Sequence, residues 1–243
     1  MPIAFRSIAG NSLAGTTFDD TTLSINKPAG TKNGDVMVAV IGQVDASGSN
    51  ALAAPAGWTQ LTPQAGANGA TAVFYKVAAS EGDSYAFTVS GGNPHAAAAG
   101  LIASYSGADA AAPIDAVGSQ HSASSISEPA PSVVPGATGA MLICCYGAEG
   151  SSNQTTVSST PPAGMTERGD VARASPPSVE YGLYLDIHVS LNDLLLASTS
   201  PTGVKTATIS AARENSGFSV LLRSAEAPPP PPPASVAGLH MVI

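Results

Sequence analysis

The chain repeats itself, and this constrains its fold more than any other feature. Residues 55–59 read PAGWT and residues 162–166 read PAGMT. Around these two turns, matching segments follow one another in the same order. NGDVMVAVIG (from Asn33) corresponds to TGAMLICCYG (from Thr138), and TAVFYKVA (from Thr71) to YGLYLDIH (from Tyr181). YAFTVS (from Tyr85) corresponds to KTATIS (from Lys205), and GLIASYS (from Gly100) to GFSVLLRS (from Gly217). The spacing between copies changes from segment to segment but not inside one. A duplicated unit drifts in this way, because loops tolerate changes of length and strands do not.

Each segment reads as a β-strand. Tyr85, Phe87 and Val89 alternate with Ala86, Thr88 and Ser90, the period of a strand with one apolar face. Tyr181, Leu183, Leu185, Ile187 and Val189 alternate in the same way with Gly182, Tyr184, Asp186 and His188. VMVAVI and MLICCY are apolar at every position, which predicts strands buried on both faces near the middle of a sheet. Asn33-Gly34, Gly91-Gly92-Asn93-Pro94, Pro161-Pro162 and Pro201-Thr202-Gly203 punctuate the segments as turns. TTLSI (from Thr21) and SSISEPAPSVV (from Ser124) are the candidate opening strands. LNDLLLAS (from Leu191) is expected to form one or two helical turns. The expected architecture is all-β: an antiparallel, jelly-roll-like β-sandwich of five or six short strands per half. Residues 1–107 make the first half and 108–226 the second. The junction, Ser106 to Ser122, lacks linker composition and carries Ile114 and Val117, so the halves are expected to pack as one pseudo-symmetric unit.

Composition agrees with strands and tight turns. Charged residues are 11% of the chain, against roughly a quarter in an average soluble protein. Net charge is −8, and the nine Lys and Arg residues are scattered. Without a basic stripe to hold phosphates, nucleic-acid binding is not expected. No apolar run approaches the roughly 20 residues of a membrane-spanning helix, and MPIAFRSIAGNSLAG does not read as a signal peptide. Cys144 and Cys145 are adjacent, so on a strand they face opposite ways and are expected to be buried, free and non-ligating.

The repeated turn is read as a structural plug. Pro55 and Pro162 fix φ, and Gly57 and Gly164 take a conformation closed to other residues. The next residue, Trp58 or Met165, then drops an apolar side chain into the end of the core, and Thr59 or Thr166 starts the next strand. A ligand-stacking role for Trp58 is the competing reading.

NGDVMVAVIG, PAGWTQL, FYKVA, GLIASYSGADAAAPID and PPAGMTERGDVA together resemble a duplicated β-sandwich module of bacteriophage and prophage proteins, which also occurs in large bacterial surface proteins. The resemblance runs from about Asn33 to Ser224. It implies a virion structural component, a minor tail or capsid decoration protein made in the host cytoplasm, and it brings no catalytic or binding residues with it. Met165 departs from the aromatic of the first copy, which weighs against a shared aromatic platform.

After Arg223 the composition shifts. Pro228 to Pro233 are six consecutive prolines, expected to form a polyproline II rod of about 19 Å, since such a helix rises about 3.1 Å per residue. Residues 227–243 thus read as a spacer ending in an apolar anchor of Val236, Leu239, Met241, Val242 and Ile243. Docking on a neighbouring subunit is the expected use of such an end, with folding back on its own sandwich or a disordered end as the competing readings. The expected partners are other virion proteins and copies of this chain, with no nucleic acid and no membrane insertion.

No nucleophile elbow, paired zinc motif or phosphate-cradling loop is present. Of the four histidines, His188 shares a strand face with Asp186. That pair can be imagined binding a metal or acting in catalysis, but is expected to lie on a solvated face. Loop carboxylates at Asp19, Asp20, Asp45, Asp109 and Asp115 suit calcium chemically, but their spacing fits no calcium loop. Phe74, Tyr75 and Tyr105 can stack on a sugar or fill a core; core is the expectation. No enzyme activity, cofactor or metal is expected. The leading functional expectation is a phage structural protein, and the alternative is a carbohydrate-binding adhesion module that recognises a host surface glycan.

Overall fold

A computed structural model describes residues 2–14, 22–44, 51–65, 69–90, 97–150, 156–174 and 185–225. All regular structure among them is β. The strands are β1 (Ala4–Ala14), β2 (Thr22–Asn26), β3 (Val36–Val44), β4 (Ala51–Ala53), β5 (Thr59–Ala65), β6 (Gly69–Val77), β7 (Ser84–Ser90) and β8 (Ala97–Ser106). They continue with β9 (Ile114–Ala130), β10 (Met141–Gly150), β11 (Ser159–Thr160), β12 (Thr166–Ala174), β13 (Asp186–Leu195) and β14 (Lys205–Leu222). Among the described residues no helix is long and apolar enough to cross a membrane.

Every strand pairing is antiparallel. A five-stranded sheet has the order β1-β8-β3-β6-β5, and a three-stranded sheet the order β2-β7-β4. The third sheet runs β11-β14-β10-β13-β12, with β9 also on β14. Here β14 serves two layers. Its first part, Lys205–Thr208, pairs with the end of β9 and with β11. Its last part, up to Leu222, pairs with the start of β9 and with β10. The register breaks around Arg213 mark the bend between the two. In place of the expected five or six short strands per half, eight N-terminal strands face six C-terminal ones, among them the long β9 and β14.

The layers follow from which side chains meet. Val36, Val38 and Val40 share one core with Ile143, Cys145, Ile187, Val189, Phe218 and Val220, so the two larger sheets pack face to face. The alternate residues of β3, Met37, Ala39 and Ile41, pack instead with Leu23, Ile25 and Phe87 of the three-stranded sheet. On the other side, Leu142, Cys144 and Tyr146 of β10 pack with Ala130 and Ala207 of the outer part of β9 and β14. Thus β3 and β10 are buried throughout because each is sandwiched between two layers, and the all-apolar sequences VMVAVI and MLICCY follow directly. Cys144 and Cys145 face opposite cores and are free and buried.

Close approach of the larger sheets requires glycine. A Cβ on Gly42 would lie 2.9 Å from Val189 Cγ1 and 3.0 Å from Ile187 Cδ1. A Cβ on Gly147 would lie 2.7 Å from Thr71 Cγ2 and 2.9 Å from Thr71 Cβ. The junction between the two strand groups is itself structured: Ile114 opens β9, and Arg223 N–H donates to Pro113 O at 2.8 Å.

Two sequence expectations are corrected. LNDLLLAS is not helical: Leu191–Leu195 belong to β13, which pairs with β10 on one side and β12 on the other. Two-sided pairing outweighs the helix preference of a leucine run. The match of TAVFYKVA to YGLYLDIH is also displaced. Thr71 stands opposite Gly42 of β3, and the residue opposite Gly147 of β10 is Val189, not Tyr181. Residues 181–184 lie outside the described residues.

Candidate functional site

The two repeated turns have the same backbone. Trp58 N–H donates to Pro55 O at 3.3 Å, and Met165 N–H to Pro162 O at 3.1 Å. Gly57 and Gly164 have φ of 85° and 78°, the left-handed region where glycine carries no steric penalty. The Trp58 ring is half-buried and meets Tyr85 and Phe87 edge-to-face, with centroids 5.1 and 5.5 Å apart. Its Nε1 is buried without a hydrogen-bond partner among the described residues. Met165 packs at the margin of the core around Leu142 and Tyr146. Neither residue forms an open aromatic platform. Phe74 and Tyr105 are fully buried, and Tyr75 is half-buried. Pro228, Pro233, Val236, Leu239, Met241, Val242 and Ile243 lie outside the described residues.

The chemistry-bearing cluster is elsewhere, and the sequence reading misplaces it. The sequence predicts His188 and Asp186 on a solvated face; both are buried, at 0% and 1% exposure. Their face of β13 lies under the outer part of β9, β11 and β14, the extra layer that a single alternating strand cannot announce. The inner residues of β13 are Asp186, His188, Ser190 and Asn192, all buried. Glu128 approaches from β9 and is also wholly buried. Asp170 stands on edge strand β12, Cα-paired with Ser190.

The contacts divide this layer in two. Arg213 Nε donates to Asp186 Oδ2 at 2.9 Å, a buried ion pair. His188 Nε2 lies 2.9 Å from Asp170 Oδ1, while Asp170 Oδ2 accepts from Ser159 N–H of β11 at 3.2 Å. Asp170 therefore connects the edge of the large sheet to the outer layer. Neither carboxyl oxygen of Glu128 has a hydrogen-bond partner among the described residues, nor do Ser190 Oγ, the two ring nitrogens of His188 and both amide atoms of Asn192, so the 2.9 Å approach of His188 to Asp170 is a close contact without hydrogen-bond geometry. Burial pushes Glu128 up to about 7, His188 opposes the rise, and the Asp170 charge adds to it. Tyr146 is also pushed up by burial, and its hydroxyl donates to Lys205 O at 2.8 Å. Such a set can hold or release a proton, because burial disfavours the charged carboxylate.

The layer between the three-stranded sheet and strands β3 and β6 is largely apolar. Leu23 stands opposite Phe87 as Glu128 stands opposite Ala207. Ala70, Ala72 and Phe74 of β6 stand opposite Gln43, Ile41 and Ala39 of β3. In the same register His188, Ser190 and Asn192 of β13 stand opposite Ala148, Tyr146 and Cys144 of β10. One layer is thus lined by Leu, Ala and Phe, and the other by Glu, His, Ser and Asn.

The remaining candidates are dispersed. Asp115 accepts from Gly136 N–H and pairs with Arg223 at 3.2 Å, and Asp109 accepts from Ala111 N–H. Asp19, Asp20 and Asp45 lie outside the described residues. Among the described residues no group of three His, Cys, Asp or Glu is arranged to hold a metal ion. No family model, curated protein or solved structure matches the chain.

Proposed function

We propose that this chain is a non-enzymatic structural protein of a bacteriophage virion, placed in the tail or its tip or on the capsid surface. It attaches to neighbouring subunits through its C-terminal tail. The observation that carries the reading is the single core shared by the two larger sheets, from Val38 and Val40 to Ile187 and Val220. Such a body transmits load without an internal hinge, which suits a scaffold repeated on a particle. The virion itself is inferred from the sequence resemblance described above.

The same reading includes two sequence-related, jelly-roll-like halves. What supports duplication is register. The order β1-β8-β3-β6-β5 corresponds to β9-β14-β10-β13-β12, and β2-β7-β4 to the ends of β9 and β14 with β11. The bulges correspond too. One falls between Gln60 and Thr62 and its counterpart between Glu167 and Gly169. Another falls where β1 meets the end of β8, and its counterpart where β9 meets the end of β14. Bulges are positional features of a strand pair, and two coincidences are not expected of unrelated sheets.

The test is truncation after Ala227. The shortened protein is expected to keep the β circular-dichroism spectrum and melting temperature of the full chain, yet be missing from purified particles. Particles that take up the truncated protein at the full-length level would overturn docking through the tail.

A further inference from the structure

We propose that Glu128, Asp170 and His188 form a proton-operated latch that fastens the outer layer of β9, β11 and β14 to the large sheet beneath it. The latch is closed while Glu128 holds its proton and loosened when Glu128 loses it.

The geometry supplies the parts. Asp170 is the mechanical link: one carboxylate oxygen meets His188 on β13, and the other accepts from the Ser159 backbone on β11. Asp170 is also the group through which the cluster meets solvent, with its side chain 26% exposed while that of His188 is 0%. Glu128 faces them from β9 with no hydrogen bond to either carboxyl oxygen among the described residues. Loss of the Glu128 proton places a second carboxylate charge near Asp170, in a layer where Glu128 itself is wholly buried. Repulsion between like charges is strong where water is excluded.

The other ionisable groups around Glu128 do not cancel that change. On β13 and β14, Asp186 and Arg213 pair with each other at 2.9 Å. On β10, Tyr146 is held neutral by burial, and Glu149, further along the strand, is another acid pushed up by burial to about 8. Lys205 of β14 lends its carbonyl to Tyr146. β11 (Ser159–Thr160) carries no ionisable side chain. The layer over β3 and β6 is built from Leu23, Ile25 and Phe87 against Ala72 and Phe74. Its ionisable neighbours are Tyr85, pushed up by burial, and Glu81, which burial would raise but Lys76 holds below the usual carboxylate range. Neither changes charge between the two pH values used below, so the layer serves as an internal control.

The experiment is hydrogen exchange read by mass spectrometry on the full chain at about pH 5.5 and about pH 8.5, corrected for intrinsic rates. Peptides from the end of β9, β11 and the start of β14 are expected to open on the order of tenfold more at the higher pH, while β2 and β7 do not change. Glu128→Gln, which keeps the shape and cannot ionise, is expected to cut the difference to the part that Glu149 leaves. Glu128→Leu, which installs the side chain that Leu23 supplies in the other layer, is expected to do the same. Equal pH response in both outer layers of the wild type would overturn the latch, whatever the variants do. So would a wild-type response retained in full by Glu128→Gln.

Discussion

Adding one methyl group at Gly147 tests whether the two larger sheets share one core. In Gly147→Ala the new Cβ would lie 2.7 Å from Thr71 Cγ2 and 2.9 Å from Thr71 Cβ, too close for carbon atoms. Thr71 is β-branched and stiff at χ1, and its own Cβ is part of the clash, so rotation cannot relieve it. The sheets must separate locally. Overpacking of this kind costs about 1–3 kcal/mol. At near 2 kcal/mol, the melting temperature of a protein this size falls by about 4–8 °C. Gly42→Ala meets Val189 Cγ1 and Ile187 Cδ1 and Cγ1 at 2.9, 3.0 and 3.1 Å, less closely than the Thr71 contact, and is expected to cost less. The decisive variant is Gly147→Ala combined with Thr71→Gly. Thr71→Gly alone destabilises through lost contacts, but it removes the side chain that the new methyl group strikes. The double variant should therefore recover about 1–2 kcal/mol against the sum of the singles. Urea unfolding of the wild type, the two single variants and the double variant measures this. Strict additivity, or a harmless Gly147→Ala, would refute the packing of β6 on β10.

Further outcomes follow from the same structure. Acidification from about pH 9 to about pH 5 should stabilise the protein. Glu128 and Glu149 are raised to about 7 and about 8 in the folded state, so their contribution is full below the unfolded value near 4.5 and is lost as pH rises through 7 and 8. At about 1.4 kcal/mol per unit the combined effect is several kcal/mol at most, and equal urea midpoints at the two pH values would contradict it. Trp58 emission should be blue-shifted, protected from quenchers and unchanged by host polysaccharide; red-shifted emission that responds to glycan would favour the adhesion alternative. Arg168→Leu removes the partner that Asp193 holds at 2.8 Å and leaves a buried carboxylate unpaired, a loss of about 3–5 kcal/mol by denaturant titration. Both cysteines should resist iodoacetamide in the native protein and react fully in urea, since burial pushes Cys144 up to about 12 and Cys145 well above the usual thiol range.

What can be read from the sequence tracks the chemistry of burial. β3 and β10 are readable because both their faces are apolar, and Tyr85, Phe87 and Val89 because one face is. The turns at Gly57 and Gly164 are readable because Pro and Gly restrict the backbone whatever surrounds them. β13 is not. Its inner face of Asp186, His188, Ser190 and Asn192 reads as a wet surface, since polar alternation usually meets water. Its end, Leu194–Leu196, imitates a helical run. The cue that separates these readings is non-local: β10 and β12 flank the strand, and a bent β14 covers it.

Calorimetry addresses the shared core most directly. Heating the full chain should give one transition whose calorimetric enthalpy equals its van't Hoff enthalpy, because neither large sheet can unfold without exposing the other's core face. Two resolved transitions, or a van't Hoff enthalpy near half the calorimetric value, would mean that the N- and C-terminal strand groups melt independently, and would contradict the account.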